Sequence, residues 1–548
     1  MEISMKKQVM KKIIGLFLVL TLACGIVGCA ATNGAESKTS ESKASESKES
    51  ASTKESVSEA KKPVTLEMYF RGNGMQQDTQ KVEDHVNELL KEYKGLEHVT
   101  VKLNIFTSAE YKDQILLAQS AGKQMDIIQS YKLDYNTEVE NGTFLPLDDY
   151  LNGEFSGLKE ELPDWLWQQV IRNGSTYVVP VYQIGATPGF VNIPTEYMQY
   201  VKNVDAFKSL DIHNISTVID FCNEIENLTV AVRDAKNTKT KYCWPVANSL
   251  ATHGSFLNSD MLDQKSGFLL IDGDTTVTNI YMTEAYKEAC KIAAEWVEEG
   301  LLPVDATVRD TSLWETSNML GDESYTLTIN NNYGDEATVS GLISKTYGFD
   351  TTAICMYDQY FFRANWAAGG SGIGANCKNP YEAMLLIEAL NTEKGKEIYN
   401  TLVYGLEGVH YEKIDENHIK TLEYDGSQGG TDTSYAGLKW IIGNTSYAYL
   451  NQGCAEGDIE IVKSVNDNPN NKASILMGGF SQNLDPVSSE IAQCTAVIEQ
   501  YHKALAYGSK GKDWEAYYNE FIEKLEIAGV NKVLDYMQQN VDAFLSSK

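Results

Sequence analysis

The chain has 548 residues, 43% hydrophobic and 10% aromatic, which excludes wholesale disorder. With 76 acidic against 46 basic side chains its formal charge is −30, which repels phosphate backbones and argues against nucleic acid as a partner. Only one uncharged apolar run approaches membrane length, at the extreme N-terminus, so a polytopic membrane protein is excluded as well.

Residues 1–28 read as an export signal. Lys6, Lys7, Lys11 and Lys12 form a basic n-region ahead of Ile13–Val27, a 15-residue apolar run. That run falls short of the ~18–20 residues a spanning helix needs. It ends Ile26-Val27-Gly28-Cys29, which resembles the bacterial lipobox and implies that Cys29 is lipidated and becomes the first mature residue. Cys24 is a weaker candidate because bulky Leu22 precedes it, and a plain secretory peptide with an incidental Cys is the bland alternative. Losing Met1–Gly28 takes the charge from −30 to −33. Residues 29–62 follow as a Ser/Glu/Lys tether, with the repeat ESKTS-ESKAS-ESKES over 36–50. Too polar to bury a core, it is expected to be disordered, reaching about 30 Å at 5–6 Å times the square root of its length. An isolated Glu/Lys helix is the alternative, against which the dense Ser argues.

Seven Cys remain beyond Cys29, an odd number with no CxxC, which fits neither a zinc ribbon nor a disulfide framework. Most are expected to be buried free thiols, although export permits a bridge.

In the body, Val64–Phe70 reads as a strand and 78–93 as a helix. Val99–Phe106 alternates like a strand, 109–120 is helical and 126–129 is a short buried strand. This β-α-β-α-β opening predicts a mostly parallel sheet, with ligand beyond the carboxyl ends of its strands, at loops 71–77 and 130–135.

The motifs that follow carry a resemblance. Gly142-Thr-Phe-Leu-Pro-Leu-Asp-Asp-Tyr-Leu151 and Gly174-Ser-Thr-Tyr-Val-Val-Pro180 resemble the "L-x-P-L-D-x-Y" segment and "G-x-x-Y-x-x-P" crossing of extracellular solute-binding lipoproteins of ABC importers, sugar-binding family 1. Lys241-Tyr-Cys-Trp244-Pro245 and Thr326-Leu-Thr-Ile-Asn-Asn-Asn-Tyr333 are similar to two aromatic strand ends of maltose-type binders, and Asn379-Pro380 to a later helix start. Tyr404-Gly-Leu-Glu-Gly-Val-His410-Tyr411, Trp440-Ile-Ile-Gly-Asn444 and, loosely, Gly479-Phe480 with Asp485-Pro-Val487 resemble the longer LplA-like subgroup.

The resemblance spans about residues 63–545 and implies an α/β, two-lobed periplasmic-binding-protein-like fold of type II. Lobe one would be about 63–181 with a return segment from about 365, and lobe two about 184–360 with a C-terminal portion. Chain crossings would lie near 179–183, near 362–374 and once more later, with ligand in the cleft between the lobes. It also implies a receptor tethered outside the cell membrane by its lipid alone, a monomer that hands an oligosaccharide or sugar derivative to ABC permease subunits. Two departures put substrate identity in doubt: Tyr333 stands where maltose binders commonly have Trp, and Ser130 where an aromatic often follows the third strand.

Little else suggests chemistry. Ala367–Gly374 lacks the Thr and first Gly of a dinucleotide loop and lies late in the chain, and no Walker motif occurs, so no cofactor is expected. The seven His are scattered without metal-ligand spacing. The amide-rich run Asn466–Asn471 reads as a surface turn rather than a calcium loop. No catalytic residue is assigned, and carboxylates for a glycosidase cannot be paired from sequence. Sugars instead call for aromatic rings on their C–H faces and amides or Arg on their hydroxyl rims. The candidate contacts are Tyr333 and Trp244, then Asn331, Arg71, Tyr131, Tyr182 and Gln183, then Trp366 and Trp440. Other functional classes stay open: an extracellular carbohydrate-active enzyme, or a glycan-capture or signalling lipoprotein without a transporter.

Overall fold

The structure is a computed structural model that describes residues 61–548 other than 209, 253–256, 315–318, 322, 358, 365–368, 423–434, 436 and 452–457. The export signal, Cys29, nearly all of the tether and Trp366 therefore lie outside the described residues.

Alternating burial builds the first sheet. β1 (Val64–Arg71) turns Leu66, Met68 and Phe70 into the core, and β2 (Val99–Phe106) does the same with Val99, Val101, Leu103 and Ile105. The two strands are parallel and in register from Val64↔Val99 to Arg71↔Phe106. β3 (Ile127–Gln129) lies on the other side of β1, also parallel, with Met68 opposite Ile127. The helices Thr79–Glu92 and Tyr111–Ser120 connect them. The expected β-α-β-α-β opening is present, each element within about two residues of its predicted bounds.

The sheet is mixed rather than mostly parallel. Gly370–Ile373 enters antiparallel beside β3, and Val178–Pro180 pairs antiparallel with it, so the order is β2, β1, β3, 370–373, 178–180. This explains the glycine-rich run without any nucleotide. A Cβ on Gly370 would lie 2.4 Å from the Val179 carbonyl oxygen, and one on Gly374 would lie 2.0 Å from that of Met125. The glycines let a returning strand pass between two others at backbone distance.

Two large hydrophobic cores divide the described chain. The first draws on residues 66–184 and 373–465, the second on 191–356 and 476–541. Among its described residues the second lobe has no single large sheet. Gly189–Pro194 runs between Thr328–Asn331 and Thr351–Cys355, all antiparallel. Lys241–Tyr242 pairs only with Ser324–Tyr325. Long helices fill the rest: Ile215–Lys236, Glu284–Glu298, Ser488–Ala506 and Trp514–Ala528 pack around one another.

Three stretches that connect these cores meet at one place. Ala186, Phe362 and Met477 form a small buried cluster, against which Trp165 packs with its ring 4.6 Å from that of Phe362. Gly185 is required here, since an added Cβ would come within 2.9 Å of both the Phe362 and Trp165 rings. Asn466 pins the first stretch: its Oδ1 accepts from the Gly185 N–H at 2.7 Å and its Nδ2 donates to the Gln183 carbonyl at 3.1 Å. Asn466 is thus buried and structural. In the rest of the amide run, Asn471 donates to the carbonyls of Val465 and Asn466, and Asn468 Oδ1 accepts from the Asn470 N–H. Among the described residues no group of three potential metal ligands occurs.

Candidate functional site

β1 and β3 end side by side, and the side chains just beyond them meet. Arg71, the last residue of β1, lays its guanidinium 4.9 Å from the centroid of the Tyr131 ring, two residues past β3. Arg71 Nη1 donates to Ser108 Oγ at 2.7 Å, while Nε is covered and, among the described residues, without an acceptor. Lys132, at φ 73°, brings its ammonium within 5.4 Å of the same ring. Ser130, where an aromatic was expected, is buried and bonds to Gly370 in both directions, N–H to carbonyl at 2.8 Å and Oγ from N–H at 3.0 Å. A larger side chain there would break the seam between β3 and the returning strand.

Arg71 also opens onto a cavity of about 370 Å³. Its other walls include His410, Tyr411, Tyr435, Lys439 and Trp440, so the described walls come from the stretches that build the first core. Trp440 is half-buried against the first core, and the Lys439 ammonium lies 4.7 Å from its ring centroid. His410 supports this wall. Its Nδ1 accepts the Leu406 N–H at 2.8 Å, which leaves the proton on Nε2, 3.2 Å from the Asp78 carboxylate. Burial holds the imidazole below its ordinary pKa against the opposing pull of Asp78, so it stands there as a neutral donor.

Arg71 thus links two places: its guanidinium lies on the Tyr131 ring, and with the Trp440 indole it lines the hollow. Such a surface can cover an apolar sugar face and donate to hydroxyls or an anion at its edge. Tyr333 lies elsewhere in the chain. It follows the second-lobe strand Thr328–Asn331, yet its half-buried ring packs against the first core. Its loop is held by Asn332, whose N–H donates to the Pro188 carbonyl and whose Oδ1 accepts from the Tyr333 N–H.

Other predicted contacts go elsewhere. Trp244 is 6% exposed and sits in the second core, its indole N–H on Ser249 Oγ at 2.7 Å and its ring edge-to-face with Tyr325 at 5.1 Å. Its polar atom and its neighbouring ring are already occupied, so it packs rather than projects. Tyr182 is also buried, and its backbone joins the Gly443–Thr445 turn through three hydrogen bonds. Gln183 gives its carbonyl to Asn466. Asn331 spends its amide N–H on the Thr187 carbonyl at 2.8 Å. These three position the chain between the cores. Sequence reasoning missed Lys439 and Tyr435. The first could have been suspected from its place directly before Trp440, whereas nothing local marks the second.

Comparison with known proteins agrees with this architecture. Two family models match, each described as a domain of unknown function, DUF7088 over residues 50–141 and DUF3502 over 476–546. A curated relative from Streptococcus pneumoniae serotype 4, a carbohydrate ABC transporter substrate-binding protein, is 26% identical over 549 aligned positions, covering 97% of each chain. The N-glycan transport solute binding protein of Streptococcus pneumoniae superposes with TM-score 0.65 at 23% identity, over 88% of this chain and 99% of that one. A human-milk-oligosaccharide-binding solute receptor from Bifidobacterium longum infantis gives TM-score 0.58 at 13% identity, with 88% and 99% covered. The chain has the two-lobed fold of solute-binding proteins and is similar, over almost its whole length, to a carbohydrate ABC transporter substrate-binding protein.

Proposed function

We propose that this protein is the lipid-anchored, extracytoplasmic receptor of an ABC importer, which binds an oligosaccharide and passes it unchanged to membrane permeases. The observation that carries the reading is the near full-length similarity to a carbohydrate-binding transporter component. The hollow lined by Arg71, Tyr435 and Trp440, with Tyr131 beside Arg71, supports it by supplying the ring faces and donors a sugar requires. In this reading residues 63–181 with a return from about 365 form one lobe, and 184–360 with a C-terminal portion form the other. Ligand held on the first lobe is covered by the second, with Tyr333 at the seam, and the closed form is what the permeases recognise. The cluster of Ala186, Phe362 and Met477 is where the chain would flex.

Ligands of the mannose–N-acetylglucosamine type are the first to try, since a structural neighbour was solved with Man5GlcNAc. A thermal-shift screen of such glycans should raise the melting temperature in proportion to ln(1 + [L]/Kd). No shift with any glycan, or release of cleaved sugar over many cycles, would remove the receptor reading. Anchoring is tested separately. Cys29→Ala should free the protein from the membrane fraction, because among the described residues no helix is long and apolar enough to cross a membrane. Retention of labelled fatty acid in that variant would move the assignment to Cys24.

A further inference from the structure

We infer that Lys548 and Asp260 are positioning residues for the closing of the two lobes: they fasten the second and third connecting stretches to the second core, and the stiffness they impose sets how tightly an oligosaccharide is held. This rests on the receptor reading above and gives a task to the helix Val530–Ser547, most of which falls in the match described as a domain of unknown function. Neither residue lines the hollow.

The second and third stretches run as a ribbon. Phe361–Phe362 pairs in parallel with Lys472–Ala473, and the N–H groups of Lys472 and Ser474 donate to the carbonyls of Tyr360 and Phe362, each at 2.9 Å. From the first lobe, Gln169 Nε2 donates to the Arg363 carbonyl at 3.0 Å and to Met477 Sδ at 3.1 Å. From the second lobe a buried carboxylate joins both stretches. Asp260, on the strand Ser259–Asp263, accepts the Ala364 N–H at 2.6 Å on one oxygen and the Ser474 hydroxyl on the other. Ser474 Oγ accepts the Leu476 N–H at 2.9 Å, and Arg363 Nε donates to the Ser259 carbonyl at 2.9 Å. One carboxylate thus ties two connecting stretches to a single second-lobe strand.

The helix Val530–Ser547 supplies the second grip. Val533, Met537 and Val541 sink into the second core. Gln538 fixes the helix further, its Oε1 accepting the Val277 N–H and its Nε2 donating to the Thr275 carbonyl, both at 2.8 Å. Just beyond the helix, Lys548 Nζ donates to the carbonyls of Ile475 and Met477, each at 2.7 Å. An ammonium on two carbonyls makes charge-assisted bonds, among the stronger hydrogen bonds of a protein. A helix seated in the core by one face and bonded to a connecting stretch at its end is a brace. Both grips close on residues 474–477, at the second-lobe side of the cluster where the chain flexes. Stretches so held have few orientations open to them before ligand arrives. A hinge ordered in advance loses less entropy when ligand fixes it, so cutting a grip adds that cost to binding.

The test compares wild type with Lys548→Met, Lys548→Arg and Asp260→Ala in the full-length protein, by amide hydrogen exchange without ligand and by calorimetry with the best-binding glycan of the screen above, Man5GlcNAc being tried first. In Lys548→Met the amides of Lys472, Ser474 and Leu476 should exchange at least fivefold faster, while those of the second-core helix Glu284–Glu298 keep their wild-type rates. The Kd should rise at least threefold. Lys548→Arg, which keeps the donors, should stay within twofold of wild type in both measurements. Asp260→Ala should show the same pattern with the Ala364 amide added, and the Lys548 pair decides the matter if that variant fails to fold. Faster exchange in Glu284–Glu298 as well would mean general destabilisation and overturn the proposal. Faster exchange over 472–476 with unchanged Kd would show that the grips do not bear on binding, which overturns it too and leaves the receptor reading standing. If wild type binds no glycan of the screen, the receptor reading fails first and takes the inference with it.

Discussion

The first lobe builds one five-stranded sheet beside two small ones, whereas the described strands of the second are distributed over sheets of two and three with long helices filling the space between. The difference decides what a strand end becomes. β1 and β3 run out at the edge of a layered structure, so Arg71 and Tyr131 stay half-buried and Arg71 faces a cavity. The second-lobe strand Lys241–Tyr242 runs out beneath Tyr325 and beside the helix Val246–Thr252, so Trp244 is swallowed by the core. An aromatic in the right motif is therefore a binding group only where no further layer covers it.

The largest effect that tests this contrast is on stability. Trp244→Ala should remove a fully packed indole and cost about 3–5 kcal/mol, as other buried aromatic truncations do. Denaturant unfolding should show the second-lobe transition moved by that amount, with oligosaccharide affinity in the folded protein changed less than threefold. Trp440→Ala should behave oppositely, losing affinity and little stability. A Trp244→Ala protein that melts normally but no longer binds sugar would reverse the assignment of the two indoles.

Acidity should separate two buried groups of the second core. Burial pushes the Asp260 carboxyl up to about 6, against bonds from Ser474 and the Ala364 N–H and the charge of Arg363. Burial, with a smaller push from Lys503, lowers His502 to about 4. The signs are opposite. A carboxyl raised in the fold from an ordinary 3.8 contributes stability below that value and loses it as pH rises through about 6. An imidazole lowered from 6.5 contributes stability above that value and loses it as pH falls through about 4. At 1.36 kcal/mol per pH unit, each is worth roughly 3 kcal/mol at most. Replacing Asp260→Asn should therefore favour the variant by about that much at pH 7 relative to pH 4, when its stability is compared with wild type in urea titrations. A difference between variant and wild type that stays constant with pH would show that Asp260 ionises normally.

The sheet of the first lobe was legible because alternation is a local signal. Val99–Phe106 places every second side chain in the core, and its bounds match those read from the sequence. The return of Gly370–Ile373 between β3 and Val178–Pro180 was not legible as a strand. Two of its four residues are glycine, whose role depends on backbones contributed from about 190 and 240 residues away. The site divides similarly. Loops after β1 and β3 could be named from topology alone, and Arg71 and Tyr131 do meet there. The fate of Trp244 depended on Tyr325 and Ser249, and that of Asn331 on Thr187. Such pairings across the fold leave no periodic trace.

Tyr333 sharpens the comparison from the other side, since it follows a second-lobe strand yet is not packed into the second core. Its ring meets the first core instead. Tyr333→Ala should lower oligosaccharide affinity by roughly 1.5–3 kcal/mol, from the area lost and an aromatic contact worth about 0.5–1.5 kcal/mol. That corresponds to about ten- to hundredfold in Kd. The unliganded protein should lose less stability than Trp244→Ala does. A variant that melts far lower yet binds sugar normally would assign this ring to packing.

Asn331, two residues before Tyr333, should give the smallest effect and the clearest division of labour. Its amide N–H donates to the Thr187 carbonyl at 2.8 Å, tying the end of the strand Thr328–Asn331 to the stretch that leaves the first core. A side chain so employed has one fewer donor for a hydroxyl of the ligand. Asn331→Ala should therefore cost stability by about 1 kcal/mol, the usual net worth of one hydrogen bond, while changing affinity less than threefold. Asn331→Asp retains the shape but replaces the donor with an acceptor facing a carbonyl, so it should destabilise more than alanine. If both variants instead weaken sugar binding tenfold with unchanged melting, the Thr187 bond is exchanged for a ligand hydroxyl on closure. Asn331 would then join Tyr333 as a contact that the second lobe contributes to the bound state.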